Sequence, residues 1–367
     1  MKIPASLYWR TKLMQTFKPL YKSIGDLESW FLKSDLSEIK IKQPIYITSL
    51  ARSGTTIVTE MLSQSDNVCS HTYGDFPGIF TPYWNNWLRQ KQRFLSGGKV
   101  ERTHGDRIMI NNDSPDAFEE VIWMYFFPQL HNTINTDKIE LTKNKKFVSF
   151  YQDNIKKHLL VKNKTRYIAK ANYNISRIEI ILEIFPDAKF IIPVRHPINH
   201  IASLVKQHNI YLKAAAANPK IDGQLAASGH FEFGNIRQII NMNDSDYFNK
   251  VTELWKSKQE IKGWAHYWNG LYQAANQLKQ KSSQLNNAIM FIKYEDLCNQ
   301  SEQTIDDIIH HCQLDNTQFS TIKKHYSKQL TLPNYYKIPF NSHEISEILN
   351  ITQTVSEKFG YNADNYN

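Results

Sequence analysis

Five consecutive residues, Arg52, Ser53, Gly54, Thr55 and Thr56, place a guanidinium, three hydroxyls and a glycine between two apolar patterns. Before them runs the apolar segment Ile45–Leu50, and after them comes a helix-period stretch marked by Ile57, Met61 and Leu62. A strand that turns through glycine into a helix gathers backbone N–H groups and the positive end of the helix dipole at one point. Such a point suits phosphate or sulfate. The lysine of the loop G-x-x-x-x-G-K-[ST] is missing, so the turn reads as an anion-binding loop that is not built for NTP hydrolysis. A second candidate anion site follows the run Ile191–Val194. Arg195 ends that run, Pro197 opens the next helix, and Ser203 stands two helical turns beyond Arg195. An arginine in that position can grip a phosphate through two N–H bonds. Lys170, at the end of a third apolar run, would reach the same rim and neutralise charge building on a departing group. Each has a plain structural alternative: a carboxylate partner for Arg195, and solvent for Lys170, one of 44 Lys and Arg.

Four short apolar runs read as the buried strands that must carry these residues: Ile45–Ser49, Tyr167–Ala169, Phe190–Val194 and Ala288–Ile292. Helix-period segments separate them, for instance Ile175, Ile178, Ile181, Leu182 and Phe185 before the turn Pro186-Asp187. Strands alternating with helices imply a parallel sheet covered on both faces, with ligands beyond the carboxyl ends of the strands. Residues 1–42 read as an amphipathic helical lead-in, expected to pack on the core. Residues 76–165 and 206–287 read as insertions shaping an acceptor site; in the first, Ser114 and Pro115 are expected to open a helix as N-cap and first helical residue. In the second, Trp264–Tyr272 is expected to be helical. The expectation is one domain over residues 1–367.

The composition is that of a folded globular chain, with 41% apolar and 22% charged residues. The net charge of +9 suits an anionic ligand, and equally a merely solvated surface. No arginine stripe, zinc-finger spacing or aromatic sheet signature points to nucleic acid. Cys69, Cys298 and Cys312 are too scattered for a disulfide framework, no metal-ligand cluster is legible, and no metal is expected. No apolar core follows the basic N-terminal residues, and the most apolar window, Val121–Phe127, is far too short to span a bilayer. A cytoplasmic protein is expected.

Taken together these residues carry a resemblance. The chain is similar to sulfotransferases that use 3′-phosphoadenosine 5′-phosphosulfate (PAPS), in the bacterial branch related to tyrosylprotein sulfotransferases. The segment from Arg52 to Thr56 resembles the family's 5′-phosphosulfate loop. Arg195 and Ser203, eight apart, resemble its 3′-phosphate motif, and Lys170 falls where the family places its catalytic lysine. Tyr294-Glu-Asp-Leu297 resembles a late segment whose tyrosine contacts the nucleotide. The segments Thr103–Asp106, Ser114–Glu120 and Gly229–Gly234 resemble those of a bacterial subgroup. The similarity touches residues 44 to about 297 in order. It implies a three-layer, P-loop-like α/β fold with a central parallel sheet and helical insertions. It also implies sulfuryl transfer from PAPS to an acceptor hydroxyl or amine on a small molecule, glycan or peptide, leaving 3′,5′-ADP.

Under this resemblance Arg52, Ser53, Gly54, Thr55, Thr56, Arg195, Ser203 and Tyr294 bind the nucleotide, and Lys170 and Arg52 serve the transition state. For the general base the family's glutamate is absent from the window Val68–Pro77; Asp75 fits best by position, with His71 and His104 as alternatives. Lys323, Lys324 and Lys328 are candidate stand-ins for a later basic nucleotide loop. Phe76, Trp84, Trp87 and Trp123 are candidate acceptor-pocket aromatics, with core packing as the alternative. The competing readings are a phosphotransferase on this architecture, disfavoured by the missing lysine and acidic metal ligand, and a nucleotide-binding scaffold without activity.

Overall fold

A computed structural model describes residues 3–91, 100–101, 109–131, 143–332 and 338–362. Seven strands occur among them: β1 (Ile45–Ile47), β2 (Val68–Cys69), β3 (Val100–Glu101), β4 (Met109–Ile110), β5 (Arg166–Lys170), β6 (Lys189–Val194) and β7 (Ile289–Lys293). Five form one sheet in the order β2-β5-β1-β6-β7, with every pairing parallel, while β3 and β4 form a separate antiparallel pair. The four expected strands are therefore present, shifted at their ends by one or two residues. The edge strand β2 escaped sequence reading because two residues show no periodicity.

Alternation along the strands divides the core into two layers. Ile45, Ile47, Ile168, Ile191 and Ile292 face one side, packing with Val58, Met61 and Leu62 of the helix Thr55–Ser63. Tyr46, Tyr167, Ala169, Phe190 and Ile192 face the other, against Tyr151, Ile181 and Phe185. In β1 all three residues are buried, as a central parallel strand covered on both faces requires. Register sets Ile47 opposite both Lys170 and Ile191, so β1, β5 and β6 end at one rim. A parallel sheet thus collects Arg52, Lys170, Arg195 and Tyr294, far apart in the chain, along one edge.

The lead-in forms three helices, α1 (Ala5–Thr16), α2 (Lys18–Phe31) and α3 (Lys33–Glu38), followed after β1 by α4 (Thr55–Ser63). The first insertion supplies helices over Pro82–Lys91, Glu120–Phe126 and Lys145–Lys162. The second supplies helices over Lys220–Ser228, Ser245–Lys256, Glu260–Gln280 and Ser283–Ala288; the third of these contains Trp264–Tyr272. The helix expected from Ser114 starts instead at Glu120. Pro115 is engaged in an isolated β-bridge with Thr72, and the Ser114 hydroxyl closes a turn on Asn111. That extended stretch carries Asp116 toward the end of β5. Among the described residues no helix is long and apolar enough to cross a membrane.

Candidate active site

The loop between β1 and α4 is fixed from three sides. Ser49 donates its hydroxyl to the Pro193 carbonyl at 2.6 Å and lies 2.8 Å from the Tyr272 hydroxyl, tying the exit of β1 to β6. His200 donates from Nε2 to the Ala51 carbonyl at 2.7 Å. Burial pushes the His200 imidazole down to about 3, so it stays neutral. Arg52 (φ +71°) and Gly54 (φ +105°) both have positive φ on either side of the buried Ser53, so the chain turns tightly between β1 and α4. A Cβ on Gly54 would stand 2.7 Å from the Tyr294 ring, so only glycine allows this approach. Thr55 begins α4, and the N–H-rich, positive end of that helix opens at the wall Thr55 and Thr56 line.

The second expected anion site adjoins the first. Arg195 follows β6 and is almost completely buried, with its guanidinium 5.1 Å from the Tyr294 ring centroid. Ser203 lies on the helix Pro197–Ala217, and its hydroxyl accepts from Arg52 Nε at 3.2 Å. Arg52, Gly54, Ser203, Arg195 and Tyr294 are thereby linked by contacts from three separate strand ends.

Beside this link opens a cavity of about 270 Å³ lined by Arg52, Thr55, Thr56 and Lys170. Lys170 Nζ donates to Asp116 at 2.9 Å and to the Thr56 hydroxyl at 3.3 Å. Burial alone would raise the Asp116 carboxyl; the Lys170 ammonium and then His230 outweigh it and hold Asp116 well below the usual carboxylate range. The Asp116 N–H donates to the His71 carbonyl at 3.0 Å. Further along the same segment, the Glu120 carboxylate takes two bonds from Arg177 at 2.7 and 2.8 Å. His230 and Glu232 complete the polar wall. The His230 ring stands 3.6 Å from the Glu232 carboxylate, which also accepts from Asn172 at 2.8 Å. Burial lowers the His230 imidazole, yet the Glu232 and Asp116 carboxylates raise it above its ordinary value. Gly229 (φ +80°) makes this possible, because a Cβ there would meet the Glu120 side chain at 2.6 Å. The rest of the lining is largely apolar, with Tyr73, Phe76, Phe118, Tyr211, Leu225 and Phe233.

Of the expected bases, neither Asp75 nor His71 lines this cavity. Asp75 is fully buried and accepts from the Thr72 N–H (2.7 Å), the Thr72 hydroxyl (3.0 Å) and Asn86 (2.7 Å). Burial pushes its carboxyl up, but Lys162 above all, then His158 and His71, keep it well below its ordinary value. His71 packs edge-to-face on His158 with ring centroids 4.2 Å apart, and burial drives it down to about 4. His104 and the segment Thr103–Asp106 lie outside the described residues. Asp75, His71 and His158 bring one metal-ligating atom each within 4.8 Å of one another, a cluster unseen in the sequence. Both oxygens of Asp75 already accept protein donors, and Lys162 and Arg89 each stand 3.5 Å from it, so this donor set is poorly suited to a cation.

Of the four pocket aromatics expected, Phe76 lines the cavity, whereas Trp123 is fully buried beneath the Arg177 guanidinium and Trp84 and Trp87 lie elsewhere. Lys323 pairs with Asp306 at 2.7 Å, and Lys324 and Lys328 are exposed on the helix Asn316–Gln329. Asp116, His230 and Glu232 received no role from sequence reasoning, although the segments that carry them, Ser114–Glu120 and Gly229–Gly234, stood out.

No curated protein sequence matches the chain significantly. Among solved structures, the chain is similar to sulfotransferase STF9 from Mycobacterium avium, at 9% identity, covering 91% of this chain and 82% of that one with a TM-score of 0.52. Sulfotransferase STF1 from Mycobacterium tuberculosis H37Rv matches at 11% identity over 91% and 81% of the two chains, but its TM-score of 0.46 adds no weight. The first similarity identifies the P-loop-like α/β fold. Residues 44–226, which hold β1, α4, Lys170, Arg195 and Ser203, match the model of the sulfotransferase family, and the chain belongs to that family.

Proposed function

We propose that the protein transfers a sulfuryl group from PAPS to an acceptor hydroxyl or amine and releases 3′,5′-ADP. The observation that carries this reading is the Arg52–Ser203 hydrogen bond, which joins two arginine-bearing anion sites beside the Lys170 cavity. Two such sites suit a nucleotide charged at both ends. The loop from Arg52 to Thr56 would hold the 5′-phosphosulfate, with Arg195 and Ser203 on the 3′-phosphate and Tyr294 beside the nucleotide. In the transfer the acceptor atom bonds to sulfur while the bond from sulfur to the bridging oxygen breaks, and its electron pair leaves with 3′,5′-ADP. Lys170, Arg52 and the loop amides stabilise the charge growing on that oxygen, which favours the transition state over the ground state. His230 takes the acceptor proton, with Glu232 orienting the ring and holding the resulting imidazolium. Asp75 is not assigned this task, since its oxygens are saturated in a buried turn.

The reading is tested by following label from PAPS into hydroxyl-bearing acceptors. Lys170→Ala is expected to lower kcat by at least about tenfold while 3′,5′-ADP still raises the melting temperature. Unchanged turnover in that variant would remove Lys170 from the chemistry. Stabilisation by ATP but not by 3′,5′-ADP would favour the phosphotransferase reading instead.

A further inference from the structure

Helices α1 and α2 carry a feature the transfer site does not use. Leu13, Phe17, Leu20, Ile24, Leu27 and Phe31 follow one another at intervals of four and three residues, which keeps them on one helical face. The hydrogen bonds from Phe17 N–H to Leu13 and from Tyr21 N–H to Phe17 carry the helical ladder across the junction at Pro19. A stripe of this kind normally faces a core. Here Leu13, Leu20, Leu27 and Phe31 are each more than half exposed, as are Trp9 and Trp30. Of the eleven large apolar side chains exposed among the described residues, seven lie between Trp9 and Phe31. This is a local patch, unlike the scatter of single exposed apolar residues that any surface shows.

The charge around the patch selects its occupant. Arg10, Lys12 and Lys18 stand among its residues, Lys22 is turned inward over Phe126 and Phe150, and no Asp or Glu precedes Asp26. Asp26 is paired with Lys22 at 2.6 Å, and Glu28 is buried 3.1 Å from Lys157. A second copy laid on this stripe would therefore meet mostly like charge, whereas a surface of anionic lipid headgroups meets its complement. Tryptophan and phenylalanine flanked by lysine and arginine are also the residues that settle at a bilayer interface without spanning it.

Helix α1 carries part of the patch on its exposed face and part of the cavity wall on the opposite one. Leu7 of α1 lines the cavity two residues before Trp9, and α1 is bound to the cavity-lining helix Lys220–Ser228. Gln15 donates to the Ala227 carbonyl at 3.2 Å, and Gln224 donates to the Thr11 hydroxyl at 3.1 Å.

We infer that α1 and α2 form an interfacial docking surface for anionic membranes, through which a hydroxyl-bearing amphiphile enters the cavity as acceptor. The acceptor half rests on the sulfuryl-transfer reading; the docking half does not. The test floats the full chain on phosphatidylcholine vesicles with and without phosphatidylglycerol, in the absence of any nucleotide. The wild type is expected to float with the anionic vesicles and to be released by salt. The combined variant Leu13→Ser, Leu20→Ser, Trp30→Ser should lose at least about tenfold in vesicle affinity. Arg10→Glu with Lys12→Glu, which leaves the apolar stripe intact, should lose binding to the anionic vesicles selectively. Failure of the wild type to float, or binding by both variants as tight as that of the wild type, overturns docking. So does a dimer in light scattering that the serine variant dissolves, since a second copy would then be the occupant. Flotation that survives while PAPS donates nothing would refute the transfer reading and leave docking standing.

Discussion

At the scale of the residue, the assignment with the sharpest consequence is His230. A base must be neutral to accept a proton, and the carboxylates of Glu232 and Asp116 raise the His230 imidazole above its ordinary value of 6.5. The acid limb of kcat/KM should therefore lie above that value, with activity climbing as pH rises through it. Glu232→Gln removes the leading carboxylate and leaves the opposing effect of burial, so the limb should move to lower pH. A merely structural His230 would leave the limb in place when Glu232 changes. His230→Ala should lower kcat by roughly 10²–10⁴ with KM little altered. None of this was legible in the sequence. Position favoured Asp75 as base, but its burial is decided by Asn86, Arg89 and Lys162, which the chain supplies from other elements. The polar wall of the cavity likewise draws on two insertions whose meeting no local spacing encodes. Arg52, Lys170 and Arg195 stood out in the sequence because Lys170 closes one apolar run, Arg195 follows another, and Arg52 opens the turn between a third and a helix.

At the scale of the element, the insertions and lead-in depend on a few buried polar clamps. Lys157, inside the helix Lys145–Lys162, is fully buried; its ammonium lies 3.1 Å from Glu28 of α2 and donates to the Gly25 carbonyl at 2.8 Å. Glu28 in turn accepts from the Trp84 N–H at 2.6 Å. One pair thus holds α2, the helix Pro82–Lys91 and the helix Lys145–Lys162 together. Burial pushes Glu28 up and Lys157 down, each toward neutrality, and the partner's charge opposes that shift. Lys157→Met strands the carboxyl and should destabilise the protein by about 3–5 kcal/mol in chemical denaturation. Adding Glu28→Leu should recover part of that loss, and a double variant no more stable than the single one would show that the pair is not the clamp. The sequence announced α2 as amphipathic but gave its apolar stripe to the core. The reverse holds at Gly25 and Glu28, where α2 is buried through a small residue and a paired charge. Hydrophobic periodicity carries no signal for a contact made that way.

At the scale of the whole molecule, the sheet is a device for bringing distant sequence to one rim. β1 and β6 are neighbours, so Arg52 and Arg195 leave the sheet side by side although 143 positions separate them. Tyr294 arrives from β7 and packs against both arms, through the absent side chain of Gly54 and the guanidinium of Arg195. A ligand spanning the rim would cross-link three strand ends and should stabilise the fold as a unit. By mass action, 3′,5′-ADP at a hundredfold excess over its Kd adds about 2.7 kcal/mol to unfolding, readable as a rise in Tm. Arg195→Ala separates the two arms of that effect. If Arg195 serves the 3′-phosphate, the substitution should abolish most of the Tm rise given by 3′,5′-ADP. The rise given by adenosine 5′-phosphosulfate, which lacks that phosphate, should be nearly untouched. Because Arg195 is buried against Tyr294, the variant will also melt lower without ligand, so the comparison is between ligand-induced shifts and not absolute temperatures. Equal loss for both ligands would mean that Arg195 only supports Tyr294 and the loop, and the rim would then hold one anion site where two are proposed.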